Sequence, residues 1–361
     1  MNTNLPAPSG TSRFEFLQQG AVRLAALALG VFGGVSLFGA RRKNTVWQID
    51  PLKCVQCERC ATASSPRACL RRRRAPGSRL AFVNYVAEKI EPEFPHVAVD
   101  TLAYQYTRKP PKTLKPRPNV IVRLCSIECN FREPLDHPSN AAFADDIRGW
   151  SKLCQRLYIW DYTTDFAHYV QPHPNWYTLE ANLRFFHANG VRGVFEQGAY
   201  QSHGSEMAEL RAWVLAQLLW NPQQDGRALI HEFLEGYYGP EAAPHLRRYL
   251  DLMHDASKGH NLTCYSPTGA PHLQFKPLAE AEKLWQQSEA AAANSPDFLE
   301  RIRLGHLAVR YVWLSRWTPL RKEADALGDA WPLPIRANRS PKNGWQWRTD
   351  QRANLGPMLP Y

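Results

Sequence analysis

Asn119-Val-Ile-Val-Arg-Leu-Cys-Ser-Ile-Glu128, Leu157-Tyr-Ile-Trp-Asp161 and Val191-Arg-Gly-Val-Phe-Glu196 are three apolar runs, each ending in a carboxylate. Apolar runs this short that are rich in β-branched and aromatic residues read as buried strands. Residues 140–153 and 177–189, which lie between them, carry apolar residues three and four apart and read as helices. Strand, helix, strand, helix, strand is the order of a parallel α/β sheet. In such sheets reactive groups collect where strands end, because the loops there converge over a rigid base. Glu128, Asp161 and Glu196 at three successive strand ends are therefore the candidate catalytic residues.

Working outward, an apolar run at residues 96–106 fits a fourth strand, preceded by a helix at 82–90 and followed by a proline-rich loop at 108–118. After Gly198 the pattern is helical, in segments 206–220, 225–238, 241–255, 277–293 and 296–317. Asn221-Pro222, Gly239-Pro240 and Ser295-Pro296 separate them. The expected fold is α/β: about four parallel strands of a partial (β/α)8 barrel, then a helical C-terminal region. The expected divisions are 81–240 for the half-barrel, 241–330 for the helical region and 331–361 for an irregular tail.

The net charge of +11 is carried by the front of the chain, since residues 1–80 hold 13 Lys+Arg against 3 Asp+Glu. The other 281 hold 31 against 30, and no basic stripe interleaved with aromatics marks a nucleic-acid surface. Residues 1–43 read as an export or anchoring segment, apolar and uncharged from 24 to 40 and followed by Arg41-Arg-Lys43. The chain is accordingly expected to be exported or membrane-anchored through that segment. Ser12-Arg-Phe-Glu-Phe-Leu17 resembles a twin-arginine export signal in which Phe14 replaces the second arginine.

Cys54, Cys57 and Cys60 resemble the start of a bacterial-type ferredoxin, C-x2-C-x2-C-x3-C-P, whose thiolates wrap a four-iron cluster. Ser64 stands at the fourth position and Ser65 at the proline, leaving Cys69 as the remaining thiolate to recruit. Residues 44–80 are thus expected to form a degenerate Cys-rich stub and basic linker, with a 4Fe-4S cluster incomplete or absent. Composition shifts abruptly between Ala61 and Leu80, as at a join between unrelated sequences.

Residues 82–254 resemble the domain of unknown function 4838 family. The resemblance is carried by Asp100-Thr-Leu-Ala-Tyr-Gln-Tyr106, Asn119 to Cys129, Leu157 to Tyr162, Phe166-Ala-His-Tyr169, Gly193-Val-Phe-Glu-Gln-Gly198 and Glu235-Gly-Tyr-Tyr-Gly239. It implies a (β/α)8 barrel similar to glycoside hydrolases and, distantly, to family 67 α-glucuronidases. Those enzymes use a glutamic acid as proton donor and an Asp/Glu pair to activate water. Only four strands are visible where a barrel needs eight, so subsites or a donor on the other half would be missing.

The chemistry also follows from the residues. Glycosidic cleavage needs one protonated carboxylic acid at the leaving oxygen and one carboxylate for water or direct attack. Asp161 and Glu196 on neighbouring strands are placed to share a water, which leaves Glu128 as the donor. Tyr104, Tyr106, Trp160, Tyr162, Phe166, Tyr169, Phe195 and Tyr200 at the same strand ends offer faces for sugar rings. Arg123 or Arg108 suits a uronic carboxylate, although for each alone a structural ion pair is the commoner use. His168 and His203 are further candidates for sugar hydroxyls. Cys125 and Cys129 are weak metal candidates, and Cys154 and Cys264 read as packing residues. The expected function is a glycoside-hydrolase-like protein acting on or binding a carbohydrate, with no cofactor for that part. The alternatives are iron–sulfur electron transfer through Cys54, Cys57, Cys60 and Cys69, and a catalytically inactive carbohydrate binder or truncated fusion product.

Overall fold

The computed structural model describes residues 76–200, 204–333 and two short strands at 337–340 and 344–347. The expected export segment, the thiols Cys54, Cys57, Cys60 and Cys69, and His203 lie outside the described residues.

The front of the described chain runs α1 (Pro76–Ile90), β1 (Val99–Ala103), β2 (Val120–Cys125), α2 (Ala141–Ser151), β3 (Leu157–Tyr162), α3 (Leu179–Ala188) and β4 (Gly193–Gln197). The four strands form one parallel sheet in the order β1-β2-β3-β4. Right-handed crossovers in this sequential order put α2 and α3 on the same face. That face is dry: Val120, Val122, Leu124, Leu157 and Ile159 are at most 1% exposed, in one core with Phe143, Ile147, Leu183 and Phe186. Truncating one of the larger of these side chains, Leu124, Leu157 or Ile159, to alanine costs about 2–5 kcal/mol.

The opposite face, carrying Asp100, Leu102, Arg123, Tyr158, Trp160 and Phe195, is half-buried or exposed. Helices on one face only distinguish this sheet from a doubly wound one, which covers both faces. Two glycines serve close approach: a Cβ on Gly193 would lie 2.5 Å from the Tyr158 ring, and one on Gly149 would lie 2.6 Å from Pro110.

The remainder is helical: α4 (Ala208–Trp220), α5 (Gly226–Tyr238), α6 (Ala243–Ala256), α7 (Phe275–Ala291), α8 (Pro296–Ser315) and α9 (Trp317–Leu327). Asp225 caps α5 by accepting from the Arg227 and Ala228 amides, and Gly239 ends it at φ 94°. Trp176, Tyr249, Trp285 and Trp313 are fully buried here, and the core runs on from the sheet side without a break at residue 240.

Three elements differ from the sequence reading. α1 begins at Pro76, ahead of the expected boundary at 81. The expected helix 296–317 breaks at Arg316 into α8 and α9, with Arg316 at φ −112°, ψ 22°. The tail holds an antiparallel pair, β5 (Ala337–Ser340) and β6 (Gly344–Trp347), where no period was visible. Among the described residues no helix is long and apolar enough to cross a membrane.

Candidate active site

The β3–β4 register sets Asp161 directly beside Glu196. Asp161 lies two residues after the buried Ile159 and Glu196 two after Val194, which packs against the core, so both point to the helix-covered face. Asp161 Oδ1 accepts from Ser126 Oγ and from the Tyr162 amide at 2.9 Å. Glu196 is half-buried as a residue, but its Oε2 is covered and has no hydrogen-bond partner. Burial pushes the Asp161 carboxyl up to about 6 against the pull of its two donors. Burial first, and then the charge of Asp161, hold Glu196 well above the usual carboxylate range. Two adjacent carboxylates out of water cannot both ionise near neutral pH, so the pair retains a proton.

Glu196 opens on a cavity of about 280 Å³ that is also lined by Thr163, Thr164, Ser205, Ala208, Arg211 and Leu215. The threonines come from the loop after β3 and the rest from α4 and the turn before it. That turn is strained, with Met207 at φ 48°, a conformation that concentrates at functional sites. Arg211 is not a free cation. Its guanidinium bonds Glu206 at 2.7 Å, Asn175 at 2.8 Å and the carbonyls of Glu206 and His173.

Glu128 stands apart from this pair. It lies in the turn after β2 with its side chain 49% exposed, and Arg108 Nη1 donates to it at 2.5 Å. The same guanidinium donates to Asp146 on α2 at 2.7 Å. An acid engaged by a guanidinium is an ion-pair acceptor, not an unpaired donor facing a substrate.

Trp160, Tyr162 and Phe195 occupy alternate positions to Asp161 and Glu196 and lie on the opposite face of the sheet. The sequence reading put all of them around the carboxylates; the period of two separates them. Trp160 meets Phe195 edge to face at 4.8 Å and donates from Nε1 to Gln197 at 2.7 Å. Arg123 sits on this face too, paired with Asp100 and 5.9 Å above the Trp160 ring, so it is committed to a structural ion pair. Tyr162, Tyr104, Cys125 and Glu128 gather at the open face's strand ends, where Tyr265 and Cys264 from the loop before α7 join them. Phe166 packs between Tyr162, Tyr169 and Tyr265 at 5.8–6.0 Å, and the exposed Tyr200 completes an aromatic rim.

Two expected ligand residues lie elsewhere. The Tyr106 hydroxyl accepts from Arg79 at 2.9 Å, and His168 Nδ1 meets the Tyr311 hydroxyl of α8 at 2.8 Å. The four described cysteines are free. Burial pushes Cys125 and Cys154 up to about 11 and Cys264 up to about 12, as expected of packing thiols. No group of three or more His, Cys, Asp or Glu among the described residues is arranged to hold a metal ion.

Sequence reasoning missed Ser126, Glu206, Arg211 and Tyr265. Ser126 was visible as the residue two before Glu128, continuing the buried alternation Val122, Leu124. Tyr265 and the Glu206–Arg211 pair come from distant loops and carry no local signal.

No solved structure and no curated protein matches the chain. The family model described as a domain of unknown function, DUF4838, matches residues 41–251. That span begins within the last residues of the expected export segment, covers the whole stretch 44–80 expected to be a separate Cys-rich stub, and takes in all four strands, the carboxylate pair and the cavity. The chain belongs to the DUF4838 family.

Proposed function

We propose that this protein acts on a carbohydrate, with Asp161 and Glu196 as the acid–base pair. The observation that carries this reading is the in-register Asp/Glu pair at two strand ends, one of its oxygens covered, without a partner and beside a cavity. A structural carboxylate is normally neutralised, and nothing neutralises these two. Perturbed acids beside a cavity are where acid–base chemistry is expected. Thr164 and Ser205 offer hydroxyls that donate to and accept from a sugar, and Thr163, whose hydroxyl donates to the Gln197 carbonyl at 3.2 Å, offers an acceptor; the resemblance to glycoside hydrolases gives the pair its counterpart. Turnover of a panel of aryl glycosides and uronyl oligosaccharides tests the reading. Release of sugar that Glu196→Gln abolishes supports it; turnover unchanged in Glu196→Gln removes the assignment.

A second reading, glycan binding without hydrolysis, is favoured by the position of Glu128. The expected donor is engaged by Arg108 in an ion pair. Its sugar platform is then the open aromatic face. Glycan binding without released sugar, weakened by Trp160→Ala and indifferent to Glu196→Gln, distinguishes it.

A further inference from the structure

The hydrogen bonds around the carboxylate pair are lopsided, and the lopsidedness assigns roles. Asp161 Oδ1 receives two donors, Ser126 Oγ and the Tyr162 amide. Glu196 Oε2, itself covered, receives none. Donors stabilise the ionised form of the acid they reach, so one proton shared by two acids settles on the acid without them. Only Glu196 of the two lines the cavity.

The geometry assigns the pair's proton to Glu196 and its negative charge to Asp161, with Ser126 as the positioning residue that keeps them so. Glu196 therefore lines the cavity as a neutral carboxylic acid. Deepening the carbohydrate reading, on which its use rests, this makes Glu196 the acid of the site and gives Glu128 no part in proton donation. The ligand group it meets is an uncharged oxygen, a hydroxyl or an ether. A carboxylate there would face Asp161 with no free cation to offset it, since Arg211 is already bonded to Glu206.

The other groups around the pair do not undo the assignment. Cys129, behind Asp161, keeps its proton because burial and the Asp161 charge both push its thiol well above the usual range. Arg211 and Glu206, from α4 and the turn before it, form one buried ion pair with no net charge.

Infrared difference spectroscopy of the full chain reads protonated carboxyl groups directly and needs no substrate. At pH 7 the wild type minus Glu196→Gln difference is expected to contain a protonated-carboxyl band. The wild type minus Asp161→Asn difference is expected to show loss of a carboxylate band instead. Ser126→Ala is expected to move part of the protonated band to Asp161, because Asp161 then has one donor fewer. A protonated band that disappears with Asp161→Asn but survives Glu196→Gln overturns the assignment, as does a wild type with no such band, or a Ser126→Ala spectrum identical to wild type. Glu196→Gln is isosteric, and Ser126→Ala provides an independent reading should it fold poorly. The glycoside panel fails separately: no turnover alongside a Glu196 band defeats the carbohydrate reading and leaves the proton assignment intact.

Discussion

The sheet and the helical region each hold a cluster built on two neighbouring carboxylates, and they treat them in opposite ways. In the sheet Asp161 and Glu196 face each other with two hydrogen-bond donors between them, both on Asp161. In the helices Glu282 and Glu289 of α7 flank His306 of α8. Glu289 Oε1 lies 2.6 Å from Nδ1, and Glu282 Oε2 lies 3.0 Å from Nε2 in a charge contact not aligned as a hydrogen bond. The imidazole stacks on Trp285 at 5.6 Å, and Arg310 and Arg303 reach the same acids. One pair is left uncompensated beside a cavity; the other is neutralised within a helix contact. Buried charge that is matched belongs to architecture, whereas buried charge left unmatched costs stability and is kept where chemistry uses it.

The largest expected effect breaks the matched side. His306→Ala leaves Glu282, 2% exposed, without its central partner, and removing one member of a buried charged group costs about 3–5 kcal/mol. Urea unfolding at pH 7 measures it. A loss under about 1 kcal/mol would show that the helical acids are not held by the histidine.

The two clusters also oppose each other in pH. Burial pushes Glu282 and Glu289 up, but the charges of His306 and Arg310, joined at Glu289 by the His306 hydrogen bond, outweigh it, and both end lowered. Their stabilisation is present above the ordinary glutamate range and is lost as pH falls below it. Asp161 is raised to about 6 from 3.8, so the folded chain binds the extra proton and stability declines as pH rises through that window. Burial and the Asp161 charge also hold Glu196 above the ordinary range, so Glu196→Gln is expected to stabilise the protein at pH 8, with little change at pH 4. Thermal unfolding across pH 4–9 checks both limbs. A variant less stable than wild type at pH 8 would mean the pair is compensated after all.

This contrast was half legible in the sequence. The four strands and most helices follow from apolar period and from punctuation such as Asp225, Gly239 and Pro296, because those signals are local. Asp161 and Glu196 as neighbours were legible for the same reason, since both end runs that pair in register. The separation of Trp160 and Phe195 from them was also present in the period of two, but proximity along the chain masked it. The His306 cluster was not legible: α7 and α8 each show a helical stripe, and only their packing sets His306 between Glu282 and Glu289. Arg108 was weighed as a sugar ligand, but its partners Glu128 and Asp146 lie 20 and 38 residues away.

A smaller effect sharpens the distinction around Glu128. Arg108 ties it to Asp146, whose carboxyl is raised by burial and drawn back down by the guanidinium. Arg108→Ala strands Asp146 and is expected to cost about 1–3 kcal/mol, while the Glu196 infrared band stays in place. A change in that band would place Glu128 within the site after all.

The smallest expected change in stability comes from the open face. Phe195 is 45% exposed and touches Trp160 edge to face, a contact of about 0.5–1.5 kcal/mol beyond burial. Phe195→Ala should therefore lower stability by only about 1 kcal/mol and leave the pH profile unaltered, because the strand carries this ring to the face opposite Glu196. Its effect on glycans separates the two functional readings. If the cavity beside Glu196 holds the sugar, turnover survives the substitution; if the aromatic face is the platform, binding weakens about tenfold, the equivalent of 1.4 kcal/mol. Isothermal titration with an oligosaccharide that binds the wild type decides between them, since the thickness of the sheet keeps either surface from standing in for the other.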